Sequence, residues 1–359
     1  MFKPLELLKA ALLAHIAGRD GPAPDLRIAS RRAGSEPGTP KDDAYHFPEY
    51  ADQPHRFWYT EWWYFNFYEP ASGIAGMATF AVFNPGARIL PGVSSLTAST
   101  ITPDGITPVI EYMGMRHFSA STETADLTLA DSRLTVIDKD TYRNQVASSN
   151  GQVHMDLTFV QADIPQFFIR EQHGTYWNVS SWLNYMPSAW VNGTLTVKGQ
   201  AYPITNATGY HDHDWGMWQV FRETWDWAEV ASPADEIVFD VVMNAAFQKS
   251  TSYFRYKDLR LYLPQENFKN TQDGWVRWKW FWKYPTRMTF ECLDSSGNYL
   301  VKMAWTIIDT LPLWQYPIIV FEQTAQFDGG LYEKAADGSW QPVCEIHAAG
   351  FAEHSVRWL

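Results

Sequence analysis

The sequence predicts an all-β chain made of two antiparallel barrels, and three observations carry that expectation. From Tyr45 onward, short runs of β-branched and aromatic residues alternate with turn signals; no long helical period interrupts them; and the halves on either side of residue 200 have similar strand content. Strand–turn spacing without intervening helices argues against a parallel βαβ sheet and for sandwiches or barrels. A length of 359 residues suits two domains of middling size, each able to bury a core.

Taken in order, residues 4–17 read as one amphipathic helix, with Leu5, Leu8, Leu12 and Ile16 at helical spacing and Gly18 as its stop. Residues 21–43 are rich in Pro, Gly, Ser and Arg and read as a linker arm, so 1–43 stands apart from the barrels. Strands are expected at 76–83, 132–138, 153–160, 193–198, 236–243, 288–293 and 300–307. Turns are expected at Pro70-Ala71-Ser72-Gly73, Asn84-Pro85-Gly86, Pro103-Asp104-Gly105, Asn192-Gly193 and Asp294-Ser295-Ser296-Gly297. The break at Tyr202-Pro203-Ile204-Thr205-Asn206 divides a first barrel, 44–203, from a second, 204–359.

Composition narrows the function. A net charge of −12 without a Lys/Arg stripe argues against nucleic acid, because phosphate neutralisation needs a basic face. Eighteen Trp, 18 Tyr and 21 Phe either simply suit strands or wall a large apolar or sugar-like ligand. Two cysteines, Cys292 and Cys344, make no disulfide framework and leave a single bridge open; a reducing compartment is the simpler expectation. The charged start is not expected to be a signal peptide, and no run approaches the ~18 apolar residues of a spanning helix. A cytoplasmic location follows, with peripheral membrane contact through the N-terminal helix as a weaker option, since its polar face carries few cations. Gly-x-Ser-x-Gly, Ser-x-x-Lys, P-loop and Rossmann glycine motifs are absent, which removes the commonest hydrolases, kinases and nicotinamide enzymes.

Two motifs concentrate the chemistry. Gly209-Tyr210-His211-Asp212-His213-Asp214-Trp215-Gly216 crowds imidazoles, carboxylates and aromatic rings between glycines that read as turn formers. As a strand it turns Tyr210, Asp212 and Asp214 to one face and His211, His213 and Trp215 to the other. An i, i+2 histidine pair can chelate zinc or iron, but a third ligand is needed, and His154, His173, His347 and His354 are unplaced; no metal is expected. The preferred reading is acid–base work, with Asp212, Asp214, Asp226 or Asp240 as the desolvated acid and Asp240 the foremost, flanked as it is by apolar residues. Upstream, Glu61-Trp62-Trp63-Tyr64-Phe65-Asn66-Phe67 alternates two bulky faces, so the strand is expected to be buried on both. Glu61 then needs a partner, for which the histidine-rich strand is the candidate.

Together, Glu61-Trp62-Trp63-Tyr64 and Tyr210 to Gly216 resemble the carotenoid 1,2-hydratase (hydroxyneurosporene synthase)-like family, over about residues 45–359 and ending in Ala349-Gly350-Phe351-Ala352-Glu353-His354. The resemblance implies two tandem lipocalin-like barrels and no cofactor. It further implies chemistry on a carbon–carbon double bond of a carotenoid, a prenylated phenolic or another polyene: hydration, or cyclisation of terpene or Diels–Alder type in secondary metabolism. By the same resemblance His213 and Trp215 match motif positions thought catalytic in the hydratases, and the family's Tyr-x-Asp acid strand aligns with Val238-Phe239-Asp240, where Val replaces Tyr and the spacing is slightly short. The expected assignment is therefore Asp240 as acid, His213 orienting it or activating water, and Trp215 stabilising a cation. Glu61, Trp62, Tyr64, His211, Asp214, Trp225 and Trp227 are expected around an apolar polyene, isoprenoid or prenylated substrate. A non-catalytic lipocalin-type carrier is the alternative from a different class.

Overall fold

The computed structural model describes residues 37–86, 92–173, 178–217, 224–244, 249–315 and 318–357; the expected helix at 4–17 lies outside them. Chain contacts divide the protein into two units, residues up to Gln219 and from Val220 onward. Both are antiparallel sheet: a 12-stranded, nearly closed barrel and a 9-stranded half-barrel.

The first unit contains β1 (Tyr59–Glu69), β2 (Ile74–Phe83), β3 (Val93–Thr102), β4 (Gly105–Gly114), β5 (Phe118–Ala120), β6 (Leu127–Leu129), β7 (Ser132–Asp138), β8 (Thr141–Ala147), β9 (Val153–Gln161), β10 (Gln166–His173), β11 (Val179–Val197) and β12 (Gln200–Met217). Neighbouring strands follow chain order outward from β1 to β4 and downward from β12 to β5, except that β11 pairs with β9 and, off this path, with β10, so β1 meets β12 within the sheet. That pairing sets Glu61 beside Trp215, Trp63 beside His213 and Phe65 beside His211. The two chemically dense motifs of the sequence are thus adjacent strands.

Strand β12 runs through Pro203, so the domain boundary expected between 203 and 204 is displaced beyond Met217. The physical reason is that β1 pairs only with residues 208–217 of β12, leaving its 200–207 stretch with β11 alone, where a residue lacking an N–H costs no ladder bond. Asn192-Gly193 is likewise no turn but a register shift inside β11. Gly193 takes a φ of 146°, and a Cβ there would lie 2.1 Å from the Asp156 carbonyl oxygen. Gly209 and Gly216, expected to form turns, also lie within β12.

The second unit contains β13 (Trp225–Ser232), β14 (Ile237–Asn244), β15 (Lys249–Tyr256), β16 (Leu259–Leu263), β17 (Lys269–Asp273), β18 (Val276–Trp278), β19 (Trp282–Tyr284), β20 (Arg287–Leu293), β21 (Tyr299–Gln315), β22 (Ile318–Lys334) and β23 (Trp340–Arg357). Its core gathers Phe239, Phe254, Phe290, Trp305 and Phe327 on one face of the sheet. Cys292 and Cys344 are free thiols packed at this core. Strands β18 and β19 form a separate hairpin.

Gly209 faces the barrel interior, where a Cβ would meet Val191 Cγ2 at 2.3 Å and the Phe159 ring at 2.9 Å. Gly209→Ala is expected to cost about 1–3 kcal/mol through overpacking, read by denaturant unfolding. Unchanged stability would show that the interior is looser than this.

Candidate functional site

Alternation along β1 and β12 sends Glu61, Trp63 and Phe65, with His211, His213 and Trp215, into the first barrel. All three titratable groups are shielded from bulk solvent: Glu61, His211 and His213 are 0% exposed. Asp43, at the end of the expected linker arm, is also 0% exposed, and it completes the group.

Hydrogen bonds and one ion-pair contact link the group into one chain. Asp43 Oδ2 accepts from Tyr142 Oη at 2.8 Å and lies 3.0 Å from His211 Nε2, while its Oδ1 lies 3.3 Å from His213 Nδ1. His213 Nε2 lies 3.0 Å from Glu61 Oε1, which also accepts the His46 backbone N–H at 2.8 Å. Glu61 Oε2 accepts from Tyr59 Oη at 2.6 Å. On the far side of its ring, His211 Nδ1 donates to the Tyr64 carbonyl at 2.9 Å. Aromatic faces sandwich the imidazoles: Phe65 stacks on His211 at 3.9 Å and Trp63 on His213 at 4.5 Å. His46 stacks on Trp215 at 4.1 Å.

The proton count follows from the acceptors. Burial alone would raise the Asp43 carboxyl, but charge and hydrogen bonds from His211 and His213 hold it down at about 2. Burial by itself would likewise strip the proton from His213; hydrogen bonds to Asp43 and Glu61 and their charge outweigh it and raise the group above the ordinary histidine value. The Asp43 carboxylate and the His213 imidazolium offset one another, which is a condition for keeping charge in a dry interior. Both nitrogens of His211 and Nε2 of His213 are hydrogen-bonded to oxygen, whereas His213 Nδ1 faces Asp43 Oδ1 at 3.3 Å without a hydrogen bond. Among the described residues no group of three or more His, Cys, Asp and Glu is arranged to hold a metal ion. His347 pairs with Asp328 and His354 with Asp226, both within the second unit, and the His173 side chain is outside the description.

Trp62, Tyr64 and Asp214, expected beside the substrate with His211, lie on the opposite face of the same two strands. Asp212 shares that face and accepts from Trp182 Nε1 at 3.0 Å and Tyr210 Oη at 2.9 Å. One strand therefore supplies two separate polar arrangements.

Asp240, Trp225 and Trp227 belong to the second unit. Phe239 and Val241 point to the core, so Asp240 points the other way, onto a face it shares with Glu229, its direct partner across β13–β14. Asp240 Oδ1 accepts from Trp227 Nε1 at 3.1 Å and is 0% exposed. The next row of that face pairs Trp227 with Glu353 and Glu353 with Glu322. Glu353 accepts from Trp225 Nε1 at 2.5 Å. Burial raises its carboxyl above the ordinary value, against the opposing pull of hydrogen bonds from Trp225 and Glu322. Four carboxyl side chains and two indoles thus share one sheet face.

Sequence reasoning missed Asp43, His46, Tyr59 and Tyr142 in the first site and Glu229, Glu322 and Glu353 in the second. Period-2 alternation around Asp240 and Glu229 carried a readable signal, an acid between apolar neighbours. Asp43 carried none, because its burial depends on a docked segment rather than a strand.

No family model matches the chain, and no curated relative matches it. Solved structures do. A Nitrosomonas europaea protein described as an AttH candidate superposes with a TM-score of 0.66 at 14% identity, covering 92% of this chain and 99% of its own. Kievitone hydratase from Nectria haematococca superposes with a TM-score of 0.60 at 15% identity, covering 91% of this chain and 96% of its own. At these identities the likeness shows a shared fold.

Below about pH 4 the stability contributed by Asp43 is lost as the pH falls through its depressed value; a shift from 3.8 to about 2 corresponds to about 2.5 kcal/mol. The contribution of His213 is complete below about pH 6.5 and is lost as the pH rises through its raised value. Asp43→Asn should cost about 3–5 kcal/mol at neutral pH and remove the Asp43 part of the acid limb. Denaturant unfolding of both proteins from pH 2 to 9 checks this; parallel curves would contradict it.

Proposed function

We propose that this chain is a cofactor-independent, acid-assisted enzyme that adds water across a carbon–carbon double bond of an apolar isoprenoid, polyene or prenylated substrate. The observation that carries the proposal is the face formed by β13, β14, β22 and β23, where buried carboxyls stand beside Trp225 and Trp227. The fold shared with kievitone hydratase supports the reaction class.

Protonating an isolated alkene requires a carboxylic acid that keeps its proton in a dry setting, and Asp240 and Glu353 are the candidates. The proton passes from the carboxyl to one alkene carbon and leaves a carbocation on the other. An indole face stabilises that cation by about 2 kcal/mol or more when desolvated, a role suited to Trp225 and Trp227. Water then adds, and the carboxylate recovers the proton from the resulting oxonium. Trp215, given the cation-stabilising role from the sequence, has one face covered by His46, and His213 is held between Glu61 and Asp43 in the first barrel. Both act instead as organisers of the first barrel.

Cyclisation is the second reading, favoured by Val238 standing where the resembled hydratases carry Tyr: it shares the Asp240 face and brings no hydroxyl to it. There an internal alkene rather than water captures the cation.

Incubation with a panel of apolar polyenes and prenylated phenolics in oxygen-18 water distinguishes the outcomes. Solvent oxygen in the product marks hydration, and an isomeric mass marks cyclisation. Asp240→Asn or Glu353→Gln should lower turnover by about 10²–10⁴-fold with the fold intact by circular dichroism. Full turnover in both variants would remove the acid assignment. Recovery of every substrate unaltered would make the protein a carrier.

A further inference from the structure

The hairpin β18–β19 breaks the rules of an ordinary turn. Its tip is Lys279-Trp280-Phe281, where turns usually place Gly, Asn or Asp. Lys279 takes a left-handed φ of 52°, and Trp280 and Phe281 are each 85% exposed. Large apolar side chains in water at a strained turn do nothing for the fold, and such local conflicts concentrate at functional sites.

The charge pattern is equally specific. Between Asp273 and Arg287 the chain carries Arg277, Lys279 and Lys283 and no acid, in a protein of net charge −12. Arg277 and Lys283 sit directly opposite each other across the two strands, a like-charge pairing that opposes the hairpin. Among the described residues, none of the three is ion-paired with a carboxylate. Lys279 lies 4.3 Å from the Trp278 ring centroid and Lys283 4.5 Å from that of Trp275, so both ammonium groups ride on aromatic faces.

The base is held firmly. Trp278 and Trp282 pack on each other at 5.7 Å, Trp282 against Trp314 at 5.8 Å and Trp278 against Phe321 at 5.7 Å. Trp282 Nε1 also donates to the Arg357 carbonyl at 3.0 Å. A fixed base presents a bare tip.

We infer that this hairpin docks the protein on an anionic lipid surface, with Trp280 and Phe281 entering the headgroup–acyl boundary and Arg277, Lys279 and Lys283 meeting anionic headgroups. Trp at the boundary with flanking cations is the chemistry that interface recognises. A protein partner fits less well: a stable interface needs about 800 Å² per side, which two side chains on a convex tip do not offer. The inference is independent of the proposed reaction, and it places membrane contact at 276–284 rather than on the N-terminal helix expected from the sequence.

Flotation of the full chain with vesicles of phosphatidylcholine alone, or doped with phosphatidylglycerol, tests it. The native chain should float with the anionic vesicles and lose affinity as salt is raised. Trp280→Ser combined with Phe281→Ser should weaken binding at least about tenfold. Arg277→Gln, Lys279→Gln and Lys283→Gln together should weaken it by about a hundredfold and abolish the preference for anionic lipid. The tip side chains are solvent-exposed, so thermal unfolding should be unchanged in the first variant, which separates lost binding from lost folding. Native protein that stays behind with both vesicle types would overturn the inference, as would a Trp280/Phe281 variant that floats as the native chain does. So would a self-associated native chain whose assembly, rather than lipid binding, that variant abolishes.

Discussion

Charge neutralisation inside the first barrel is the constraint on which its architecture rests. Asp43, His211, His213 and Glu61 are all without solvent exposure, and each would be prohibitively costly there alone. They are linked through distances of 3.0–3.3 Å, with Asp43 held ionised and His213 pushed toward its charged form. The consequence reaches the backbone: a one-residue slip of β1 against β12 would turn Glu61, His211 and His213 to the other face and strand Asp43 in an apolar interior. Register is therefore enforced by electrostatics as well as by packing. The same requirement ties residues 43–46 to the barrel, since without Asp43 the two imidazoles face a single carboxylate.

The two units treat acidity in opposite ways. In the first, Asp43 meets two imidazoles, is held ionised and loses its use as a proton donor. In the second, Glu229 faces Asp240 and Glu322 faces Glu353, acid beside acid, with the Trp225 and Trp227 N–H groups as donors and with Tyr253, Arg255 and Arg260 on the same face of β15 and β16. Burial raises the Glu353 carboxyl above its ordinary value, the opposite of the direction at Asp43. That contrast moves the proposed chemistry from the histidine motif, which dominates the sequence, to the less conspicuous strands of the second unit.

Much of the fold was legible. Strands β2, β7, β9, β14 and β20 follow the expected runs to within a residue or two, because alternation of apolar and polar side chains survives in both units. The turns at 70–73, 103–105 and 294–297 carry Gly and Pro for the usual reasons. Gly193 and Gly209 misled because a glycine that admits a close backbone or ring looks, in sequence, like one that makes a turn, and Gly216 too lies within a strand. The pairing of Glu61 with the histidine strand was readable from burial cost alone. Asp43 was not, since nothing in a Pro- and Gly-rich arm signals that its last residue plugs a barrel, and Glu353 was hidden because its meaning lies in its cross-strand neighbour Glu322.

Nitrogen-15 NMR of the imidazole side chains, with His213 assigned by its loss in His213→Gln, addresses the central claim directly. The account expects His213 to retain both ring protons, with imidazolium shifts, at a pH where exposed histidines have already given one up. A neutral His213 ring with one bare nitrogen under those conditions would contradict the charge-balanced chain, and with it the physical basis offered here for the register of β1 and β12.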